Sequence, residues 1–363
     1  MKKAAKRNDA LQAGQPEHEF AAPKLRYQPP QPRRYRPRIG LIGCGGITAA
    51  HLDAYRSAGW EVAALCDQRP EAAGQRRDAF FPRAEVFTDY RRLLERTDVD
   101  VVDIALHPEG RVPVIEDALR AGKHVLSQKP FVTDLADGRR LVRLADRCGR
   151  RLAVNQNGRW APYVSWTREA IRTGLLGEVQ SVAMTLNWDH TWIRGTAFEQ
   201  VRHIVLYDFA IHWFDMTACF LAGKTPRRVF AANAIAPGQE LKPPMLGQVA
   251  IQFDDALATL HFDAHSRFGP GEALCVTGSE GTVHARGPIC RAHDLSLHTR
   301  RGVARPRLEG KWFNDGFRGA MGELLRAIEE DREPAHSARD NLRGLALCFA
   351  ALRSADRGVA LRL

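Results

Sequence analysis

The stretch Arg38–Asp67, RIGLIGCGGITAAHLDAYRSAGWEVAALCD, constrains the fold of this 363-residue chain more than any other part of the sequence. A short apolar run, Ile39–Ile42, leads into a cluster of glycines and a helical pattern, and a second apolar run, Val62–Cys66, stops at an acidic residue. Short apolar runs bounded by Pro or Gly are typical of buried parallel strands. The stretch therefore predicts a strand, a glycine turn, a helix and a second strand, which is the βαβ unit that binds dinucleotides.

The glycine turn is where the backbone must bend sharply and approach a ligand closely. Its glycines allow the N–H groups at the start of the following helix to face a pyrophosphate. Thr48 stands at the third glycine position of the usual G-x-G-x-x-G spacing, which predicts slightly looser packing of helix on strand. An ordinary tight turn of another α/β protein is the alternative, but such a turn needs no acid after the second strand. The residues predicted to bind the cofactor here are Gly43, Gly45, Gly46 and Ile47.

The acidic residue after the second strand bears on the choice of cofactor. Asp67 lies where a carboxylate hydrogen-bonds the ribose diol of NAD, and it should repel the 2′-phosphate of NADP. Arg69, two residues on, offers a cation that could accommodate that phosphate. We expect NAD as the cofactor with NADP possible, and tighter binding of NADP than of NAD would contradict this expectation.

The order of strand and helix patterns predicts two domains after an N-terminal arm. Alternating strand and helix patterns run to residue 155 and predict an α/β Rossmann domain, a doubly wound parallel sheet, over residues 38–155. From residue 227 to about residue 297 short strand patterns follow one another without helices. Residues 156–363 are therefore predicted to form an α+β domain with a large open, mainly antiparallel sheet that binds substrate and mediates oligomerisation.

Charge and composition exclude several classes of protein. The net charge is +11, but ten Lys/Arg and three Asp/Glu lie in residues 1–38, so the rest of the chain carries only +4. This distribution argues against a nucleic-acid-binding protein. No apolar run approaches the roughly eighteen residues of a membrane helix, so no membrane partner is expected. The seven cysteines are scattered without a C-x-x-C pair, which favours reduced thiols in a cytoplasmic protein.

The basic arm, residues 1–37, lacks the apolar core of a secretory signal. Residues 1–25 are expected to be disordered, and the prolines of Tyr27–Pro37 predict an extended strap. The aromatic side chains of this strap could pack on the body or on a neighbouring subunit, although a solvated tail is the favoured interpretation.

Two further stretches carry the chemistry. Lys129 follows the strand pattern His124–Ser127 within Gln128-Lys129-Pro130, at the sheet edge where ligands of such folds bind. A solvent-facing lysine at a strand end is the alternative for this motif alone. Asp208 and His212 are four residues apart in a helical pattern and should share one face.

Histidine is the natural group for proton transfer near neutral pH, and a carboxylate one turn away can orient it. Asp215 could assist or face solvent. A core histidine without catalytic function is the alternative for His212.

These motifs, in this order, resemble the Gfo/Idh/MocA oxidoreductase family. The resemblance covers residues 38–363 and includes Gly122–Leu126, Gly174–Val179 and Gly278–Val283. It implies a two-domain NAD(P)-dependent enzyme acting on sugars, cyclitols or related polyols. It also implies residue roles: Lys129 contacts substrate and nicotinamide ribose, His212 is the acid/base, and Asp208 orders the histidine and the substrate.

Three positions depart from the family pattern. Gln128 replaces the usual glutamate and so removes a charge beside the lysine, Ala210 replaces a common glycine, and Arg111 stands where a histidine is common. His107 and Gln128 are expected to contact the cofactor together with Lys129, although Arg111 leaves the nicotinamide pocket uncertain.

Polar and aromatic residues near two strand exits are the candidates for substrate binding, since such a mixture suits a polyol. They lie within residues 155–160 and 189–203 or directly before residue 189. Their alternative role is packing within the loop. The substrate-binding set comprises Lys129, Asn157, Arg159, Trp188, His190, Asp208 and His212, with Trp192, Arg194 and His203 as further candidates. Asp189, His190 and His203 match no common metal spacing, so no metal is expected.

The favoured function is hydride transfer between nicotinamide and a secondary alcohol or carbonyl of a sugar, cyclitol or related polyol. A glycoside hydrolase that uses bound NAD for transient redox chemistry is the main alternative, and a cofactor-binding sensor without turnover is another. A homodimer or homotetramer is expected, because an open sheet would otherwise leave one face exposed.

Overall fold

The computed structural model describes residues 18–363, and in this part of the chain it contains two sheets. The first is parallel, with the order β3-β2-β1-β4-β5-β6. Its order reverses beside β1, where the chain crosses from one half of the sheet to the other, and ligands of such folds bind at that point. The elements are β1 (Arg38–Ile42), α1 (Thr48–Ser57), β2 (Glu61–Cys66), α2 (Pro70–Phe80), β3 (Glu85–Phe87), α3 (Tyr90–Leu94), β4 (Val99–Ile104), α4 (Pro108–Arg120), β5 (His124–Ser127), α5 (Leu135–Cys148) and β6 (Leu152–Val154).

The second sheet has the order β14-β13-β12-β11-β7-β10-β9-β8-β15 and is antiparallel except for the parallel pair of β7 and β10. The predicted fold class, a Rossmann domain followed by a domain with a large, mainly antiparallel sheet, is confirmed. The elements are α6 (Pro162–Arg172), β7 (Val179–Asn187), α7 (Ile211–Phe220), β8 (Pro226–Ala234), β9 (Leu246–Phe253), β10 (Leu257–Asp263), β11 (Gly271–Gly278), β12 (Gly281–Gly287), β13 (Asp294–Thr299), β14 (Gly302–Ala304), α8 (Trp312–Glu329), α9 (Ala338–Arg357) and β15 (Leu361–Arg362).

One face of the second sheet is covered by helices and the other is open. Along β9 the burial alternates strictly, with Val249 and Ile251 buried and Gln248 and Gln252 exposed. Such alternation is typical of an antiparallel sheet with a single covered face. The open face also carries large apolar side chains, among them Leu257 at 60% exposure.

Helix α8 packs on the first domain although it follows the second sheet in sequence. Phe317, Met321 and Leu324 on one face of α8 join the apolar cluster of Leu41 and Tyr55. The helix pattern fixes this buried face, but the sequence does not say which sheet covers it. Trp312, the first residue of α8, contacts Asn157 of the second domain, so α8 packs on both domains. The division into residues 38–155 and 156–363 stays a prediction.

The N-terminal arm lies along the body from residue 18 onwards. Phe20 and Val303 are hydrogen-bonded through their backbones, and the hydroxyl of Tyr27 accepts from the N–H of Glu309. Phe20, Leu25 and Tyr27 pack against the core. The expectation of a solvated tail is wrong for residues 18–37, because these apolar side chains are partly buried against the core. Residues 1–17 of the predicted disordered segment lie outside the described residues.

The helix predicted to carry Asp208 and His212 is interrupted. A π-helical turn covers Val205–Phe209, in which the N–H of Ala210 bonds to the carbonyl of Val205, and only then does α7 begin. The seven cysteines are unpaired among the described residues. No helix of the described chain is long and apolar enough to cross a membrane.

Candidate active site

The glycine turn lies at the carboxyl end of β1, where it is shaped for close approach by a ligand. Gly43 has φ +93°, and a Cβ there would lie 2.8 Å from the carbonyl oxygen of Ala105. Only glycine fits such a position without strain. At Gly45 and Gly46 a Cβ would meet nothing within 4 Å, so the backbone faces open space. The turn fits the pyrophosphate that the sequence predicts, while Ile47 lies 39% exposed beside it.

Asp67 braces the same turn. Its Oδ2 accepts the N–H of Cys44 at 2.8 Å, and its Oδ1 accepts the N–H of Arg69 at 2.9 Å. Burial, followed by the charge of Asp67, raises the pKa of the Cys44 thiol to about 12. Each carboxylate oxygen has two lone pairs, so the acid retains the capacity to accept from a ribose diol.

Arg76 on α2 is a feature of this turn that the sequence reasoning missed. Its Nη2 donates to the carbonyl of Gly45 at 2.9 Å and its Nε to the hydroxyl of Thr48 at 3.2 Å. Thr48 in turn donates to the carbonyl of Gly45 at 2.6 Å. The threonine at the third glycine position is thus part of a hydrogen-bonded brace. The local sequence motif could not predict this contact, because Arg76 lies about thirty residues downstream of the turn.

Lys129 reaches across from the first domain to the second. It follows β5, and its Nζ lies 3.0 Å from Oδ2 of Asp208 and 3.1 Å from the carbonyl oxygen of Asp208. Both side chains are less than a fifth exposed. The structure therefore brings two of the three predicted catalytic residues into a partly buried ion pair at the cleft between the domains.

His212, the third predicted catalytic residue, is held by an amide rather than by a carboxylate. Its Nδ1 donates to Oε1 of Gln156 at 3.0 Å, so Nε2 carries the lone pair. Nε2 has no hydrogen-bond partner among residues 18–363. Burial, together with the nearby charge of Lys129, holds the pKa of His212 well below its ordinary value. At neutral pH the imidazole is therefore an uncharged base.

The expectation that Asp208 orients His212 is not met by this geometry. Among the described residues Asp208 bonds to Lys129, whereas His212 bonds to Gln156. The reason lies in the π-helical turn at Val205–Phe209, which widens the backbone spiral and removes the regular i, i+4 relation. Gln156 belongs to the strand exit at residues 155–160 that the sequence singled out, but it was not among the named site residues.

Arg159 is a structural residue and not a substrate contact, contrary to the prediction. It is 2% exposed, and its Nε and Nη2 bind both carboxylate oxygens of Asp215 at 2.6 Å. Nη2 also contacts Asp340 at 2.7 Å. Because buried Asp215 and partly exposed Asp340 occupy its guanidinium, Arg159 joins the second-domain helices. Asp215 neither assists His212 nor faces solvent.

The side-chain oxygen of Asn157 is likewise occupied by a hydrogen bond within the protein. Its Oδ1 accepts the indole N–H of Trp312 at 2.8 Å, and the Trp312 ring lies edge-on to His212 with centroids 5.6 Å apart. Asn157 is 5% exposed. Its influence on a substrate is therefore indirect, because it holds the indole that walls His212.

An aromatic wall connects the end of β4 with the end of β7. It begins at His107, which is exposed just after β4 and whose ring centroid lies 6.0 Å from that of Phe198. It continues from Phe198 to Trp192. His190 lies 4.4 Å from Trp188 between ring centroids, and burial lowers the pKa of His190 to about 4. Trp188 is half-buried, whereas His190 is buried, so direct contact of His190 with a substrate stays a prediction.

The loop that carries Lys129 is held by a buried cation. Nη1 of Arg111 contacts the carbonyls of Gln128 and Pro130, and its Nε donates to that of Leu106 at 3.1 Å. The Lys129–Pro130 peptide bond is cis. Burial lowers the pKa of Arg111 to about 10, so the guanidinium is charged at neutral pH. Arg111 thus ties the ends of β4 and β5 together where the family pattern has histidine.

A buried polar network lies beneath this loop. His51 Nδ1 is 2.7 Å from Oδ2 of Asp103, which also accepts the hydroxyl of Tyr55 at 2.6 Å. His51 Nε2 faces the amide nitrogens of Gln128 at 3.2 Å and Asn155 at 3.3 Å. All five side chains are at most 6% exposed. Gln128 therefore contacts the network and not open space, so its predicted direct contact with the cofactor stays untested.

Two family models match the chain, one for each domain. Residues 37–156 match the oxidoreductase family with an NAD-binding Rossmann fold, and residues 164–284 match the GFO/IDH/MocA C-terminal domain. D-apiose dehydrogenase of Paraburkholderia graminis is 30% identical over 354 residues, which cover 89% of this chain and 88% of that protein. The chain belongs to the Gfo/Idh/MocA family of oxidoreductases.

Other relatives of this Gfo/Idh/MocA protein agree. Inositol 2-dehydrogenase of Rhizobium meliloti is 28% identical over 330 residues, covering 87% of this chain and 96% of that one. An oxidoreductase from Agrobacterium radiobacter, crystallised with NAD⁺, L-tartaric acid and magnesium, superposes with a TM-score of 0.81. It is 20% identical and covers 90% of this chain and 98% of its own, so it shows a shared fold.

Membership of the Gfo/Idh/MocA family makes this chain an NAD(P)-dependent oxidoreductase, as the sequence predicted. The open space at Gly45 and Gly46 fits the dinucleotide. Relatives named as dehydrogenases do not favour the alternative of a hydrolase. Among the described residues no group of three or more His, Cys, Asp or Glu side chains could hold a metal ion.

Proposed function

We propose that this protein transfers hydride between NAD and a secondary alcohol of a sugar, cyclitol or related polyol. The observation that carries the proposal is the convergence of an uncharged His212 and the Lys129–Asp208 ion pair at the cleft beside the glycine turn. Relatives named D-apiose dehydrogenase and inositol 2-dehydrogenase support the substrate class.

Each residue has a separate task in the proposed reaction. Bound NAD supplies the acceptor for the hydride that leaves the carbinol carbon. Nε2 of His212 takes the hydroxyl proton, which is feasible because Nδ1 already donates to Gln156. The ammonium group of Lys129 stabilises negative charge that develops on the substrate oxygen. Asp208 holds that ammonium at 3.0 Å and so fixes its position.

The aromatic wall supports a substrate with an apolar ring face. Half-buried Trp188 and the more exposed Trp192 offer indole surfaces on the second-domain side of the cleft. A sugar or cyclitol presents C–H groups on one face and hydroxyls on its edge, so it can pack on an indole while its hydroxyls reach Lys129 and His212.

The test is the appearance of reduced nicotinamide absorbance when the protein is incubated with NAD and a panel of aldoses, cyclitols and sugar acids. We expect turnover of at least one neutral polyol, and loss of about 100-fold or more in kcat for His212→Ala and Lys129→Ala. Lys224→Ala is the matched control, because Lys224 pairs with the exposed Asp255 at 2.7 Å. Bound cofactor without turnover of any polyol would contradict the proposal.

Two further proposals concern the whole protein. The open face of the second sheet, with Phe230 and Leu257 exposed, supports a homodimer or homotetramer in which that face is covered. Size-exclusion chromatography with light scattering would contradict this by giving a monomer. Seven unpaired cysteines support a cytoplasmic location, where thiols stay reduced.

A further inference from the structure

Gln128 joins the buried His51 to the backbone of Lys129. Its Oε1 accepts the N–H of Lys129 at 2.7 Å, and its Nε2 lies 3.2 Å from Nε2 of His51. Because the amide oxygen already accepts an N–H group from one side, the nitrogen end of the amide faces the imidazole. The two partners together set the direction of the Gln128 side chain, which is buried.

The ring of His51 is held in one orientation and one tautomer. Its Nδ1 lies 2.7 Å from Oδ2 of Asp103, and a carboxylate accepts hydrogen bonds, so Nδ1 donates. Nε2 then carries the lone pair and accepts from Gln128 and, at 3.3 Å, from the amide of Asn155. The ring also packs on Phe317 of α8, with centroids 4.5 Å apart. His51 is therefore a fixed acceptor beneath the loop that carries the lysine.

The backbone around Lys129 depends on the Gln128 side chain for one of its hydrogen bonds. The carbonyls of Gln128 and Pro130, on either side of the lysine, contact the guanidinium of Arg111. The N–H of Gln128 bonds to the carbonyl of Ile104 at 3.0 Å. The N–H of Lys129 is bonded by the Gln128 amide, and a backbone donor shielded from water is costly to leave without a partner. A change that lets this amide turn therefore alters the position of the backbone at Lys129.

The position of that backbone decides where the ammonium group lies. Nζ of Lys129 is 3.0 Å from Oδ2 and 3.1 Å from the carbonyl oxygen of Asp208, on the other side of the cleft. A lysine side chain is long and flexible, so it makes these contacts only when its Cα lies at the right distance from them. Small displacements of a reacting group are costly, since a shift of about 1 Å can lower a rate about 100-fold.

We infer that His51 is a positioning residue for the reaction: it orients the amide of Gln128, which in turn fixes the backbone of Lys129. The inference rests on the proposed function, which assigns to Lys129 the charge that stabilises the substrate oxygen. An amide at position 128 suits this task, since it offers N–H groups to the ring and an oxygen to the backbone. His51 is fully buried beneath the loop, so it acts through Gln128 and not by contact with a substrate.

Chemical labelling tests the position of Lys129 without cofactor or substrate. His51→Leu removes the acceptor for the Gln128 amide and keeps an apolar side chain against Phe317. Brief acetylation by acetic anhydride, followed by mass spectrometry of peptides, gives the rate at each lysine. Lys129 should react several-fold faster in His51→Leu than in the wild type, because Asp208 then holds its ammonium group less firmly.

Lys123 is the internal control for general loosening of the first domain. It lies just before β5, at the opposite end of that strand from Lys129, and its Nζ donates to the carbonyls of Arg96 at 2.6 Å and Val99 at 2.8 Å. Its acetylation rate should be unchanged. Gln128→Leu cuts the same link at its other end and should give the same labelling, so it is the second variant should His51→Leu fail to fold.

Steady-state kinetics separates positioning from structural support. His51→Leu should lower kcat about tenfold in the wild-type background and cause no further loss in Lys129→Ala, because the lysine through which it acts is then absent. His51→Gln should restore most of the rate, since its side chain offers an acceptor oxygen to Gln128 and an N–H group to Asp103. Tyr55→Phe is the matched control: it removes the hydroxyl that donates to Asp103 at 2.6 Å, so it should lower stability and leave kcat close to that of the wild type.

Three results would overturn the inference. Equal acceleration of acetylation at Lys123 and Lys129 would show that His51 supports the first domain as a whole. An equal loss of kcat in the wild-type and Lys129→Ala backgrounds would show that His51 does not act through the lysine. Unchanged labelling in both His51→Leu and Gln128→Leu would exclude the link. Wild-type protein that oxidises no polyol would contradict the proposed function, whereas faster acetylation confined to Lys129 would still support the positioning of that lysine by His51.

Discussion

An uncharged amide holds the ring of His212. Gln156 accepts from Nδ1 of His212 at 3.0 Å. An amide fixes a ring orientation without adding charge, so it favours neutral imidazole where a carboxylate would favour imidazolium. The absence, among residues 18–363, of a carboxylate bonded to His212 therefore matters to the chemistry of this site as much as the carboxylate of Asp208 at Lys129.

Gln156→Glu should shift the acid limb of the pH profile of kcat/KM to higher pH. In the wild type the pKa of His212 is held well below its ordinary value, so this limb lies well below pH 6.5. A carboxylate at Nδ1 would stabilise the protonated ring and raise that pKa by about one unit or more. Steady-state rates between pH 4.5 and 8 measure the shift, and Gln180→Glu on the exposed start of β7 is the control. An acid limb at the same pH in both variants would mean that Gln156 does not govern His212.

Gln128→Glu should make stability more dependent on pH. His51 would then lie between two buried carboxylates, because Asp103 already contacts its other nitrogen at 2.7 Å. In the variant the network should take up one proton on folding. Once the pH has risen far enough for the unfolded chain to release that proton, the free energy of unfolding of the variant should fall by about 1.4 kcal/mol per further pH unit relative to wild type. Denaturant unfolding at pH 6 and pH 8 measures this loss.

The double variant Gln128→Glu/Asp103→Asn keeps a single carboxylate in the network and moves it to the other side of His51. It should restore the wild-type pH dependence. The same slope in wild type and Gln128→Glu would exclude proton uptake by the network.

At the scale of elements, the sequence predicted what local pattern controls. The glycine turn and β5 at His124–Ser127 coincide with their predictions, because local pattern determines them. The buried ion pair of Arg159 with Asp215 was missed, since it joins residues 56 positions apart. The π-helical turn was missed for a different reason: its sequence has ordinary helical periodicity, which does not distinguish a π-helical turn from an α-helical one.

The arm and α8 are joined by one carboxylate at the end of that helix. Glu329 accepts the backbone N–H groups of Arg33 at 2.7 Å and Tyr35 at 2.8 Å, and that of Arg34 between them. These bonds lower the pKa of Glu329. The prolines nearby cannot supply N–H groups to a sheet, so a side-chain acceptor takes the place of a strand partner.

Glu329→Gln should release the arm and expose its arginines to protease. An amide accepts more weakly than a carboxylate and its NH₂ group opposes the N–H donors, so tryptic cleavage after Arg33 and Arg34 should become several-fold faster. Limited proteolysis with mass spectrometry measures the rate. Glu330→Gln is the control, because the adjacent Glu330 pairs with the side chains of Arg326 and Arg332. Equal cleavage of wild type and Glu329→Gln would refute the clamp.

At the scale of the whole molecule, buried titratable groups make the free energy of unfolding fall when the pH is lowered and also when it is raised. Burial lowers the pKa of His124 and His190 to about 4, and holds those of His212 and His336 well below the ordinary value. Below pH 6.5 the unfolded chain binds protons that the folded chain does not, so stability falls as pH falls. Each such histidine contributes about 1.4 kcal/mol per pH unit until its folded-state pKa is reached.

Glu272 acts in the opposite direction. Burial raises the pKa of Glu272 from 4.5 to about 8, so between these values the folded chain holds a proton that the unfolded chain has released. Its effect lowers stability as pH rises. Four histidines outweigh one glutamate below pH 6.5, whereas above that value the glutamate acts without them. Stability from these groups is therefore greatest near pH 6.5.

The unfolding midpoint should accordingly rise steeply from pH 4.5 to 6.5 and decline gently from 6.5 to 8. Glu272→Gln removes the ionisable group while keeping an acceptor for the hydroxyl of Tyr163, so it should abolish the decline and leave the rise intact. Differential scanning calorimetry across this range measures both limbs, with Glu178→Gln, 88% exposed, as the control. A midpoint that declines equally in wild type and Glu272→Gln would mean that another group releases its proton on unfolding, and a flat profile below pH 6.5 would show that the histidines are protonated in the folded state.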